Sequence, residues 1–179
     1  GNISKWTNDA KQLIIAKTKY KKLVFIGSSM GSWIALNLFS FFKNKIIGFI
    51  GIASAPEFLE KLMWKKFNKK IKKIIIKKGI YYLHHANYVY PLTKQLILDG
   101  RKNKIFNKKI NFNIPFILFH GTKDKVVPLS FSRQVIKISK SNKKKIIKIK
   151  NGDHSLSRKS DLNKICKELY IIIKNENFN

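Results

Sequence analysis

Residues 22–42 read KLVFIGSSMGSWIALNLFSFF, and the rest of the chain is placed from them. The run Leu23-Val24-Phe25-Ile26 has the composition of a short strand. Gly27-Ser28-Ser29-Met30-Gly31 follows, and an apolar, helix-like stretch continues to about Lys43. Strand, G-x-S-x-G and helix, in that order, is the setting that lifts a serine onto a sharp turn at the end of a strand. Such a turn forces strained dihedrals on Ser29, and the reading assigns Gly27 and Gly31 to removing Cβ atoms that would strike the neighbouring strand and helix. The Ser29 hydroxyl then projects above the sheet edge. The Met30 N–H, at the helix N-terminus, points toward the place where an oxyanion would form.

A membrane reading of the same stretch is weaker. Residues 23–42 are twenty in a row without a charge, long enough to span a bilayer, and Gly27 and Gly31 supply a G-x-x-x-G. Four serines and Asn37 within the twenty make a poor lipid-facing helix. No transmembrane segment is expected.

At 179 residues the chain suits one domain with a real core. Its formal net charge is +29, from 38 Lys and Arg against nine acids. Only Arg101, Arg133 and Arg158 are arginine, whereas bidentate phosphate and base recognition favours that residue. Lys, Ile, Asn and Phe are inflated together along the whole chain, as in KKIKKIIIKK at 69–78, which reads as AT-rich coding. The charge is therefore expected to be a solvated surface with non-specific attraction to anions, not a specific nucleic-acid reader. The lone Cys166 excludes an internal disulfide and points to a reducing, cytoplasmic setting.

Along the chain, residues 4–19 read as a helix capped by Ser4 or Thr7, with Trp6, Ala10, Leu13 and Ile14 at helical spacing. Ile46–Ile52 is a continuous apolar run, the mark of a strand covered on both faces. The order α-β-α-β implies parallel strands with right-handed crossovers. Residues 53–113 interrupt that rhythm and read as a lid inserted above the strand ends, of three helices: 57–67, a basic helix ending at Gly79, and 93–102. Phe58, Leu62, Met63 and Trp64 are its candidates for facing a substrate. Strand 115–120, helix 130–139, strand 146–150 and a helix around 161–174 complete the chain.

In an α/β sheet the chemistry sits on loops at the carboxyl ends of strands. Three such loops carry Ser29, Asp124 and His154. Ser29 is a weak nucleophile until a base takes its proton, and imidazole titrates near neutrality. Asp124 would accept from the other ring nitrogen and fix the tautomer. Asp153 and Asp99 are rival acids: the first is the sequence neighbour of His154, the second lies on the lid. His120, at a strand end, reads as structural. His84-His85 are neighbours whose side chains would point apart, so no metal site is expected.

GSSMGSW, GIASAPEF, YPLTKQLILDGR, PFILFHGTKDKVVP and NGDHSLSR together resemble one branch of the α/β-hydrolases, that of bacterial carboxylesterase-like proteins and mitochondrial palmitoyl-protein thioesterase. The resemblance runs from about Trp6 to the last helix. It implies a mostly parallel sheet with helices on both faces and a triad falling on Ser29, Asp124 and His154. It implies a serine hydrolase of acyl esters or thioesters, with small-molecule or acyl-protein substrates and no cofactor. The branch begins with several more strands, and a loop among them gives the second oxyanion donor. The sequence is accordingly expected to be N-terminally incomplete, with one sheet edge bare and that donor missing upstream. The alternative expectation is a non-catalytic remnant that binds anionic surfaces by charge.

Overall fold

The structure is a computed structural model that describes residues 1–19, 21–85 and 88–176. Its centre is a four-stranded parallel sheet in the order β1-β2-β5-β6: β1 Leu23–Ser28, β2 Ile46–Ile52, β5 Phe116–Gly121 and β6 Lys144–Ile149. Strand residues alternate between its faces. Phe49, Phe116 and Leu118 enter one core with Trp33, Leu36 and Phe39, while Ile50, Ile117, Phe119 and Ile149 enter another with Ile165 and Ile172. The first core is aromatic, with Phe49 4.6 Å from Phe116 and 5.7 Å from Phe39, centroid to centroid.

Helix α1 (Ile3–Lys17) and helix α2 (Met30–Leu38) supply one face, and α6 (Lys159–Glu176) the other. The cap of α1 is Asn2, whose side chain accepts from Lys5 N–H at 2.8 Å, not Ser4 or Thr7. That shift turns Ile3 and Thr7 into the interior and leaves Leu13 exposed. Helix α2 stops at Leu38, short of the expected Lys43. Helix α5 (Leu129–Ile138) covers β5 and β6.

Segment 53–113 departs most from expectation. The helix expected over 57–67 is a π turn, Leu59–Met63, followed by a 3₁₀ turn, Trp64–Lys66. Its start is displaced because Glu57 sits at φ 58°, outside the helical region. Helix α3 (Lys69–Lys78) is capped by Asn68 and ends at Gly79 in the left-handed region, as its sequence suggests. Between it and α4 (Lys94–Lys102, capped by Thr93) lies an antiparallel hairpin, β3 Ile80–His85 with β4 Tyr88–Thr93. The sequence alone predicts no element between Gly79 and residue 93. Among the described residues, no helix is long and apolar enough to cross a membrane.

Candidate active site

Ser29 follows β1 directly and stands at φ 50°, ψ −117°, a strained position for a residue with a side chain. The strain is held in place from β2 and its loop. Ser29 N–H donates to the Ile52 carbonyl at 2.8 Å, and its own carbonyl accepts from Ala55 N–H at 3.2 Å. One turn further on, Ser32 and Ser54 hydroxyls meet at 2.6 Å in the interior. The loop after β2 thus braces the turn.

The two motif glycines differ. A Cβ on Gly27 would lie 2.6 Å from the Ser32 backbone, whereas one on Gly31 would meet nothing within 4 Å. Only Gly27 answers to the clash argument; Gly31 faces open space. Gly27→Ala is therefore expected to cost about 1–3 kcal/mol through forced backbone displacement. Gly31→Ala is expected to be neutral or stabilising by up to about 1 kcal/mol, since alanine favours the helix. Urea unfolding midpoints of the two variants would test the contrast, and equal losses would refute it.

Asp124 and His154 come from loops after β5 and β6, and these adjacent strands bring them together. Gly121 closes β5 against the carbonyls of Asp153 and Gly152, where a Cβ would collide. Lys123 N–H donates to the Gly152 carbonyl at 2.8 Å, and Asn151 N–H donates to Thr122 Oγ1 at 2.8 Å. Sequence reasoning missed this glycine pair. Its signal is a glycine three residues ahead of Asp124 and another two ahead of His154.

The Asp124 carboxylate has no solvent exposure. One oxygen, Oδ1, accepts from Val126 and Val127 N–H at 2.8 Å each, and Oδ2 lies 2.9 Å from His154 Nδ1. An ionised carboxylate only accepts, so Nδ1 carries the proton and Nε2 is left as an acceptor. Nε2 lies 3.1 Å from Ser29 Oγ, within reach of its hydroxyl proton. The rival acids are engaged elsewhere. Asp153 Oδ1 accepts from Ser155 and Leu156 N–H, and Asp99 accepts from Ser4 N–H and Oγ–H on α1.

His120 is structural, and buried at 2% exposure. Its Nε2 donates to the Val127 carbonyl at 3.0 Å, so Nδ1 accepts from Ser132 Oγ–H at 2.8 Å. Burial pushes its pKa below the ordinary histidine value, against the opposing pull of Asp124 and of the Val127 carbonyl. The unfolded chain then binds this proton more tightly than the native one. The stability due to neutral His120 is fully present above about pH 6.5 and declines as pH falls toward the depressed native value. We expect the melting temperature of His120→Gln to fall less steeply than that of the wild type between about pH 7 and 5. Parallel curves would refute the assignment.

Of the candidate lid residues, Phe58 packs edge-on against Trp33 at 6.1 Å. Phe58 and Leu62 border a small apolar cluster of Ala55, Val127 and Phe131, next to the Asp124 loop. Met63 and Trp64 instead pack on the main core, with Arg101 4.9 Å and Lys72 5.8 Å from the Trp64 ring. A further anchor had no sequence signal: the buried Glu57 carboxylate accepts from Ile105 and Phe106 N–H at 2.9 Å each and ties the β2 loop to the far end of the segment. Among the described residues no group of three or more His, Cys, Asp or Glu could hold a metal ion.

No protein-family model matches the chain. Mitochondrial palmitoyl-protein thioesterase ABHD10 of Homo sapiens is 28% identical over 166 residues, which cover 89% of this chain and 53% of that protein. Its counterpart in Pongo abelii is 27% identical over the same length. The chain thus spans about half the length of the curated relatives it matches. Among solved structures, mouse alpha/beta hydrolase domain-containing protein 10 superposes with a TM-score of 0.85 at 25% identity, covering 98% of this chain and 70% of that one. A protein of presumed hydrolase function from Agrobacterium vitis gives a TM-score of 0.89 at 25% identity, covering 97% of this chain and 69% of its own. With its parallel sheet, its strained serine turn and these likenesses, the chain has the α/β-hydrolase fold and is similar to the palmitoyl-protein thioesterases.

Proposed function

We infer that the chain carries the catalytic part of a serine hydrolase of acyl esters or thioesters. The observation that supports this most directly is the series Ser29 Oγ, His154 Nε2 at 3.1 Å, His154 Nδ1 and Asp124 Oδ2 at 2.9 Å. In this reading His154 Nε2 takes the Ser29 proton as Oγ attacks the acyl carbonyl. Asp124 holds the tautomer and stabilises the imidazolium. The negative charge that develops on the carbonyl oxygen is met by Met30 N–H at the N-terminus of α2. His154 then returns the proton to the departing alcohol or thiol, leaving an acyl group on Ser29. Water attacks that acyl group by the same route, and the free serine is restored. Every proton moves between Ser29, His154, leaving group and water, so the cycle asks for no cofactor.

Segment 53–113 acts in this reading as a lid, with Phe58 and Leu62 beside the Ala55, Val127 and Phe131 cluster offering an apolar wall to the acyl chain. The likeness to palmitoyl-protein thioesterases favours long acyl chains and thioester or ester leaving groups for the full-length enzyme. The direct test is a fluorophosphonate probe followed by peptide mapping. Label on Ser29, lost when His154 is replaced by alanine, is the expected result. A non-catalytic remnant would leave Ser29 unlabelled.

A further inference from the structure

Between Glu60 and Asp99 the chain has ten lysines and no carboxylate. The centre of that stretch is α3 and the β3–β4 hairpin, joined by Gly79 at φ 79° and closed by Lys94 N–H donating to the Gly79 carbonyl at 2.7 Å. At 100° per residue, Lys69, Lys70, Lys73, Ile76 and Lys77 occupy one face of α3, about a third of its circumference. All five are exposed. The opposite side is committed to the fold, with Ile75 fully buried and Lys72 turned onto the Trp64 ring.

The hairpin adds apolar surface to this charge. Tyr88 is 66% exposed and Tyr82 55%, and Val89 and Tyr90 are exposed beside them. The rings of Tyr88 and Tyr90 lie 6.1 Å apart. Tyr81 packs on Phe67 at 6.3 Å and Leu92, its partner across the strands, is buried, which anchors one face of the hairpin; Tyr88 and Tyr90 continue that face beyond the anchored part, and Tyr82 and Val89 lie exposed on the other. A helix with a lysine stripe that leads into a hairpin with exposed tyrosines suits the headgroup level of a bilayer, where rings enter the interface and ammonium groups meet acidic lipid. The stretch contains no arginine, the residue that phosphate and base recognition in nucleic acids favours. At ten residues α3 can lie on a membrane but cannot cross one.

We propose that α3 and the β3–β4 hairpin form a docking face for an anionic lipid bilayer, which brings the Ser29 site to acyl groups held at the membrane surface. Docking itself stands apart from the hydrolase reading; only the choice of membrane-held acyl substrates rests on it.

The test is flotation of the whole chain, wild type and Ser29→Ala, with vesicles of phosphatidylcholine alone or of equal parts phosphatidylcholine and phosphatidylglycerol. Both proteins should bind the acidic vesicles and not the neutral ones. A lysine near an anionic surface strengthens binding about fivefold, so joint Lys69→Gln, Lys70→Gln, Lys73→Gln and Lys77→Gln should weaken it by about two orders of magnitude or more. Joint Tyr82→Ser, Tyr88→Ser and Tyr90→Ser should remove the part of the binding that survives high salt, where the lysine attraction is screened. The control removes the same charge from exposed α6 positions: Lys159→Gln, Lys164→Gln, Lys167→Gln and Lys174→Gln. It should retain vesicle binding within a fewfold of wild type. Equal loss in the α6 control would overturn the proposal in favour of diffuse charge. Duplex RNA binding that needs the α3 lysines, with vesicle binding that does not, would overturn it in favour of nucleic acid. Vesicle binding by a chain whose Ser29 takes no probe would sink the catalytic reading and leave the docking face standing.

Discussion

Ser29→Ala is expected to lower p-nitrophenyl ester turnover by at least about 10⁴-fold while leaving thermal unfolding within a degree or two of wild type. The size follows from the way a nucleophile and its base act as one unit, so that removing either loses most of the covalent route. The unchanged stability follows from the local structure. Both backbone bonds that hold the turn, Ser29 N–H to Ile52 and Ala55 N–H to the Ser29 carbonyl, survive the substitution. Alanine at φ 50° meets the same steric cost that serine already bears. The side chain removed is half-buried, and its hydroxyl meets His154. Turnover retained at more than a few per cent in a folded variant would point to another nucleophile and remove the basis of the proposed function.

Asp124→Asn should cost about 10⁴ in kcat, and Asp153→Asn no more than a fewfold. The reason lies in how the two oxygens of Asp124 are used. Oδ1 is occupied by Val126 and Val127 N–H, so the amide of the variant keeps its oxygen there and turns its NH₂ toward His154. An NH₂ donates, which drives the imidazole into the tautomer that protonates Nε2. The ring then presents a donor where the Ser29 hydroxyl needs an acceptor. Asp153 does no such work, since its Oδ1 accepts from the two backbone N–H groups that follow His154. Its loss would loosen that loop without changing the tautomer. The measurement is kcat for both variants over a range of pH. A larger loss in Asp153→Asn would overturn the assignment of the acid.

These two predictions draw on information of different origin. Local sequence determines part of the fold: β2 is the apolar run Ile46–Ile52, and Gly79 ends α3 in a left-handed turn. Each of these is decided by a handful of neighbouring residues, through burial of a continuous apolar segment or through the freedom of one glycine at positive φ. The order of the three loops that carry Ser29, Asp124 and His154 is legible for the same reason, since each follows a strand whose end is marked by composition.

Tertiary structure decided what local composition leaves open. Glu57 lies inside a helical pattern, yet its carboxylate is needed by Ile105 and Phe106 almost fifty residues away, and it leaves the helix to reach them. Residues 80–85 and 88–93 have strand-forming aromatics but become strands only once the two pair with each other. Asp124 rather than Asp153 meets His154 because β5 and β6 are neighbours and Gly121 has no side chain to hold their loops apart. By itself the sequence determined which residue types stand at the ends of which strands. Which of them touch was decided by strand order and close backbone approach, because a hydrogen bond needs two groups within about 3 Å and only the assembled sheet sets that distance.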